Sequence, residues 1–474
     1  MMVMIKFGTD GWRAIMARDF TFANCSMVAQ GIASYMLNQQ LAKKGIVIGY
    51  DNRFMSREFG WECARVMAGN GIKVFFLDKV SPTPVTAFAV QAKNAGGAIM
   101  ITASHNPPEY NGIKFIPEYA GPALPDVTDA IEKEIQRIQE TGRIYELDIE
   151  EAISFDIFQE INVDELYFGH LANILQGESF KKHPLKVIID PMFGAGIGYL
   201  EKILGKLGCE TKSINNYRDV LFGGALPEPA SDNLNALKHA VVSFNAQAGL
   251  ALDGDADRFG IVDQDGNYIT PNEFLYLVLN HLLKTRTFRG PVARSLATTQ
   301  MLDRVARKNG LGVIETPVGF KYIGECLREK GSMLGGEESG GMSIIGHIPE
   351  KDGILACLLA AEMLAYSGKS FAELKKEFEQ EYGTSASQRV DIKVKEEKIE
   401  VITSHMRNYQ PGKVAGQKAV EVNRTEGLKV SLEDDSWFLI RPSGTEPLFR
   451  LYVESRDIDK MDKITAEVRK IFDF

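Results

Sequence analysis

The sequence predicts an α/β protein: three similar α/β domains followed by a C-terminal α+β domain. Three observations carry this. The chain has 474 residues, enough for about three or four domains at roughly 100–200 residues each. A strand–loop–helix–Gly–strand unit occurs three times. The last stretch, 385–474, has a different pattern, with several β-strands and flanking helices.

The first unit is IVIGYD (Ile46–Asp51), a loop with Asn52 and Arg53, a helical Glu58–Asn70, Gly71, then IKVFFLD. The second is KVIIDP (Lys186–Pro191), a Gly-rich loop, a helix near Tyr199–Leu207, Gly208, then CETKSIN. The third is GPVARSL, a helix near Thr299–Asn309, Gly310, then LGVIET. Short Val/Ile-rich strands alternating with such helices read as α/β units. A single large doubly wound sheet is the alternative. The tail reads as RVDIKV, a helical EEKIEVITSHMRN, then KAVEVN, LKVSL, WFLIRP, FRLYVES and a terminal helix. Expected domains are 1–150, 151–250, 251–375 and 385–474, with a polar linker at Glu379–Ser387.

Composition excludes several classes. Apolar residues make up 45% and charged residues 25%, ordinary for a globular chain. Acids outnumber bases 63 to 54, for a net charge of −9, which argues against a nucleic-acid partner. The five cysteines (Cys25, Cys63, Cys209, Cys326 and Cys357) are scattered, with no CxxC. That favours a reducing compartment over a disulfide framework or thiolate zinc site. The N-terminus lacks an adequate apolar core for a signal peptide. The apolar Gly353–Ala365 is too short to span a bilayer. The expectation is a cytoplasmic protein with no membrane partner.

Four loops carry chemistry. ITASHNPPEYNGIKF (Ile101–Phe115) places Ser104 at a strand end before a turn forced by Pro107, Pro108, Asn111 and Gly112. A held, exposed hydroxyl suits a phosphoryl carrier, with His105 and Lys114 as proton-transfer or charge-stabilising partners. LALDGDADRFGIVD alternates Asp253, Asp255 and Asp257 with small residues, so three carboxylates converge as hard ligands for Mg²⁺. A Ca²⁺ helix–loop–helix site would want Glu where Gln264 stands. Arg258 adds a cation for phosphate. In MLGGEESGGMSIIGHIPEKDG, glycine pairs flank Glu337, Glu338 and Ser339, which suits sugar hydroxyls or a plain surface turn. In LIRPSGTEPLFRLYVES, Arg441, Ser443, Gly444, Thr445 and Arg450 form a candidate phosphate cradle between two strands. A further turn, FGTDGWR, presents Arg13.

Taken together and in this order, GTDGWR, TASHNP, DGDADR, GEESGG and RPSGTEP resemble the α-D-phosphohexomutase superfamily across nearly the whole chain. The resemblance implies four domains with mixed sheets around a deep central cleft, one loop from each. It implies a phosphoserine at Ser104, with one Mg²⁺ held by Ser104, Asp253, Asp255 and Asp257. Arg13, His105 and Lys114 match residues around the transferring group, Lys114 being the general acid/base candidate. Glu337 and Ser339 match sugar-binding residues. Arg258, Gly319 of ETPVGFK, and Lys351 match other substrate-binding positions. Arg441, Ser443, Gly444, Thr445 and Arg450 match the site for the phosphate that is not transferred. The implied reaction passes through a sugar 1,6-bisphosphate that turns around in the cleft.

The GEES loop and its neighbours VARSLATT, ETPVGFK and HIPEKDG resemble the glucose-directed branch, implying glucose 1-phosphate and glucose 6-phosphate with glucose 1,6-bisphosphate as intermediate and activator. Val318, where the family has Thr, and Gly340–Gly341 after GEES depart from that branch. Mannose, pentose or dual specificity stays open, as do a bisphosphate synthase and a non-catalytic relative. The last would be expected to lack the serine or an aspartate.

Overall fold

The computed structural model describes residues 5–7, 11–443 and 448–474. Four sheets account for its strands. The first contains β1 (Trp12–Ile15), β2 (Ile46–Tyr50), β3 (Val74–Leu77), β4 (Gly97–Ile101), β5 (Tyr110–Pro117) and β6 (Phe158–Ile161), in the order β1-β5-β4-β2-β3-β6. The second contains β7 (Lys186–Asp190), β8 (Glu210–Ser213), β9 (Ala248–Leu252), β10 (Phe259–Asp263) and β11 (Tyr268–Ile269), ordered β11-β10-β9-β7-β8. The third contains β12 (Val292–Ser295), β13 (Val313–Thr316), β14 (Leu334–Gly336) and β15 (Met342–Ile344), ordered β13-β12-β14-β15.

These three sheets share one plan. A central strand (β2, β7 or β12) has parallel neighbours on both sides. On one side, the neighbour hairpins into an antiparallel strand: β4 into β5, β9 into β10, β14 into β15. Central strand β2 and the neighbours β4 and β9 are buried at every position, as sheets covered on both faces require; β12 is buried too, although it carries Arg294 and Ser295. The three chemistry-bearing loops are these hairpin turns, so each occupies the same place in its sheet.

The fourth sheet is a different structure. Strands β16 (Ala386–Lys393), β17 (Lys413–Val414), β18 (Gln417–Asn423), β19 (Leu428–Leu432), β20 (Trp437–Pro442) and β21 (Leu448–Ser455) are ordered β16-β21-β20-β19-β18-β17, every pair antiparallel. Helices Glu396–Asn408 and Ile458–Phe472 accompany it. This is the α+β tail that the sequence predicts.

Strand pairing moves the expected boundaries. β6 pairs with β3, so the first sheet reaches past residue 150 to Ile161. β9 spans residue 250 and its sheet continues to Ile269, so the acidic loop lies within the second sheet and not at its end. Helix Phe371–Tyr382, capped by a Ser370/Glu373 box, covers 375 and half of the expected linker. Its first turn is fixed by two reciprocal hydrogen bonds, so the chain is irregular only from Gly383 to the start of β16.

Helix Gly353–Ser367 is buried from Gly353 through Ala365 and shares one core with Val187, Leu250 and Val292. Asp352 caps it, accepting the Leu355 N–H at 2.9 Å. Each buried leucine contributes about 1.5–3 kcal/mol, so this helix fastens the second and third sheets together. Among the described residues, no single helix is long and apolar enough to cross a membrane. All five cysteines are buried and free.

Candidate active site

β4 delivers Ser104 to its turn. Its φ is 51°, a left-handed conformation that non-glycine residues adopt only when their surroundings impose it. The Ser104 N–H donates to Thr102 Oγ1 at 2.8 Å. Ser104 Oγ donates to Asp253 Oδ2 at 3.0 Å and lies 3.2 Å from His105 Nδ1. A contact across 149 residues therefore joins the first chemistry loop to the second.

In that second loop Asp253, Asp255 and Asp257 are buried, and one oxygen of each lies within 4.8 Å of the others. Ala256, with φ 58°, supplies the backbone curl. Burial first, and then the charges of Asp255 and Asp257, push the Asp253 carboxyl well above the usual carboxylate range. Lys114 Nζ on β5 meets Asp255 Oδ2 at 2.9 Å and Asp257 Oδ2 at 3.1 Å. Lys351 Nζ reaches Asp257 Oδ2 at 3.2 Å. Asp257 Oδ1 is buried and accepts no hydrogen bond. Three hard oxygen donors, mutually repelling and out of water, fit Mg²⁺.

Arg258 donates its N–H to Asp253 Oδ1 at 3.0 Å, and its guanidinium lies 4.0 Å from Glu228. Arg258, burial and Arg13 together push the His105 imidazole down to about 2, so it is neutral. Arg13 on β1 donates to Asn106 Oδ1 at 2.8 Å.

Glu337 is buried in the third loop. Its carboxylate accepts the Gly319 N–H at 2.8 Å. Burial, then the charge of Glu338, raises it to about 7. Ser339, half-buried, follows in the same turn. In the fourth sheet Arg441 and Arg450 face each other across β20 and β21. Arg441 pairs with Glu426 Oε2 at 3.0 Å, and the same oxygen accepts the Val318 N–H at 3.1 Å. Glu426 thus joins the Gly319 loop to Arg441 of the fourth sheet. Ser443 closes the hairpin, its N–H donating to Leu448 O at 2.9 Å. Gly444 and Thr445 lie outside the described residues.

Several residues near the site had no assigned role in the sequence. Thr83 donates its hydroxyl to Asp255 Oδ2 at 2.7 Å. Asn52 donates to Phe193 O and Gly194 O, tying the first domain to the second. Arg53 sits beneath the Ser104 turn. The small residues of the SPTP turn and the position of Asn52–Arg53 after a strand were the only available signals.

Comparison with known proteins agrees with this architecture. Models of phosphoglucomutase/phosphomannomutase α/β/α domains I, II and III match residues 4–142, 165–266 and 270–382, and that of the C-terminal domain matches 390–471. A phosphoglucomutase/phosphomannomutase of Thermococcus kodakarensis is 30% identical over 454 residues, covering 96% of this chain and 95% of its own. A phosphoglucosamine mutase of Acetivibrio thermocellus is 28% identical over 469 residues, covering 98% of each. The crystal structure of a Thermus thermophilus protein described as a phosphomannomutase superposes with a TM-score of 0.86 at 32% identity, covering 100% of both chains. The chain belongs to the phosphoglucomutase/phosphomannomutase family of the α-D-phosphohexomutases. These are isomerases that move a phosphoryl group within a sugar phosphate, and the chain is an enzyme of that class.

Proposed function

We propose that this enzyme interconverts glucose 1-phosphate and glucose 6-phosphate, with Ser104 as phosphoryl carrier and glucose 1,6-bisphosphate as intermediate. The observation that supports this most is the contact of Ser104 Oγ with Asp253 at the edge of the buried carboxylate trio. Phosphoryl transfer needs positioning and neutralisation of the oxygens around phosphorus. One Mg²⁺, held by Asp253, Asp255, Asp257 and a phosphoserine oxygen, supplies that neutralisation when bound.

The chain's own groups do the rest. Lys114, seated between Asp255 and Asp257, donates the proton to the serine oxygen as its bond to phosphorus breaks. Arg13, Arg258 and His105 surround the transferring group. Glu337, ionised, accepts sugar hydroxyls beside Ser339 and Gly319. Arg441, Ser443, Gly444, Thr445 and Arg450 hold the other phosphate, and Lys351, which meets the same Asp257 oxygen as Lys114, contacts substrate. The glucose preference rests on GEES and its neighbouring motifs. The relatives' names span glucose, mannose and glucosamine, so the sugar is decided by assay.

That assay supplies glucose 1-phosphate with trace glucose 1,6-bisphosphate and Mg²⁺. Glucose 6-phosphate forms, and kcat/KM is highest for glucose among glucose, mannose, glucosamine and ribose 1-phosphates. No glucose 6-phosphate would exclude the glucose assignment. A higher kcat/KM with mannose would move the assignment to phosphomannomutase.

A further inference from the structure

The turn that carries Ser104 holds an uncommon backbone conformation, and one side chain from another loop meets it at four points. Arg53 follows β2 and is fully buried. Its two terminal nitrogens donate to four main-chain carbonyls. One bonds Ser104 O and Asn106 O, both at 2.7 Å. The other bonds Pro107 O at 2.9 Å and Tyr110 O at 3.0 Å. Asp51 Oδ2 stands 3.3 Å from Arg53 Nε, and the Phe222 ring of the second domain lies 4.9 Å beneath the guanidinium.

The Ser104 carbonyl has a second close neighbour. Gly254 of the acidic loop approaches so closely that a Cβ there would come within 2.5 Å of Ser104 O. The oxygen that Arg53 bonds therefore also packs against a bare glycine, at the joint of two domains. A planar fork with several fixed donors can hold four carbonyls at once; an ammonium cannot.

We propose that Arg53 is a positioning residue for phosphoryl transfer. It keeps the Ser104 turn in one conformation while the charge on Ser104 changes. The assignment rests on Ser104 being the carrier. A phosphorylated serine carries about −1.5 to −2 charges. Each half-reaction adds or removes that charge beside three carboxylates. Without Arg53 the turn keeps the Ser104 bond to Thr102, the Arg13 bond to Asn106 and two short-range backbone bonds, Asn106 N–H to Ala103 O and Tyr110 N–H to Pro107 O. The Ser104 carbonyl, however, loses the guanidinium that ties it to the rest of the turn and shifts as the charge comes and goes. Misplacing the reacting atom by about 1 Å costs about a hundred-fold in rate. Among the described residues, the side-chain hydrogen bonds of Arg53 go to the Ser104 turn and to no candidate substrate-binding residue, so its effect belongs to the transfer step.

The test is single-turnover transfer from ³²P-labelled glucose 1,6-bisphosphate to the full-length enzyme, wild type and Arg53→Lys. Wild-type labelling at Ser104 tests the carrier reading by itself, independently of Arg53. The expected result for Arg53→Lys is a rate constant roughly a hundred-fold lower, a full amplitude, and a KM for sugar monophosphate within about three-fold of wild type. A reduced amplitude at the wild-type rate constant would show a merely structural role and overturn the assignment. So would an unchanged rate constant. If Arg53→Lys does not fold, Asp51→Asn loosens the same guanidinium. Its rate constant should fall about ten-fold with full amplitude, and an unchanged value would overturn the proposal.

Discussion

At the scale of single residues, environment decides which groups are charged. Glu337 is raised to about 7 by burial and by Glu338. Its hydrogen bond from Gly319 is retained whether it is Glu or Gln. If sugar hydroxyls bind the ionised form, affinity falls roughly ten-fold between pH 8 and pH 6. Glu337→Gln should flatten that profile, read by titrating glucose 1-phosphate at several pH values; an identical slope in the variant would exclude Glu337 as the acceptor. Stability runs the other way. A folded pKa above the unfolded value favours folding below the ordinary carboxylate range. That contribution is lost as pH rises through about 7. Glu337→Gln should therefore raise Tm at pH 8 and change it little at pH 4, as read by thermal unfolding.

The residue scale is also where the sequence was least complete. Ser104 and the aspartates are visible because their side chains are unusual company for one another. Arg53 sat in plain view after β2, but its partners are carbonyl oxygens, which every residue has. Thr83 looks like a turn residue until Asp255, 172 positions away, meets its hydroxyl.

At the scale of elements, the three α/β units repeat the same hairpin, and each chemistry loop is its turn. The sequence pattern located the central strands because apolar runs are local. It placed the domain edges differently because β6 is fixed by a partner distant in sequence, β3, and because the β9–β10–β11 meander runs straight through residue 250. Gly340–Gly341, a departure from the glucose-directed pattern, has a packing reason. Gly340 has φ 89°, and a Cβ at Gly341 would meet Lys351 Cδ at 2.6 Å. Gly341→Ala should displace Lys351 and raise KM several-fold; an unchanged KM would show that Lys351 does not depend on this glycine. The acidic turn makes a separate prediction. Chelation should remove activity, and Asp255→Asn should raise the Mg²⁺ concentration needed for half-maximal rate at least ten-fold. Unchanged Mg²⁺ dependence would contradict the ligand assignment.

At the scale of the whole molecule, the fourth sheet docks on the third through a mixed interface. Leu296 and Ala297 pack with Trp437, Leu439 and Tyr452. Buried Lys429 bonds Leu296 O at 2.9 Å and Glu315 at 2.6 Å, while Glu315 also holds Arg294. Because Glu315 keeps Arg294, Lys429→Met should cost about 2 kcal/mol, near the low end for breaking a buried polar pair. A calorimetric transition shifted down by about 5 °C would match; no shift would mean that the apolar contacts alone hold the interface. The four-domain plan was legible because three units share a pattern that the tail lacks. The contacts between domains were not, since Glu426, Lys429 and Asn52 act on backbone atoms of distant segments.

The account stands most directly on Ser104 as the phosphoryl carrier. Enzyme incubated with ³²P-labelled glucose 1,6-bisphosphate and digested should carry its label on the peptide containing Ser104. Ser104→Ala should take up none and lose turnover while still binding glucose 1-phosphate. Label on another residue, or near wild-type turnover in Ser104→Ala, would contradict it.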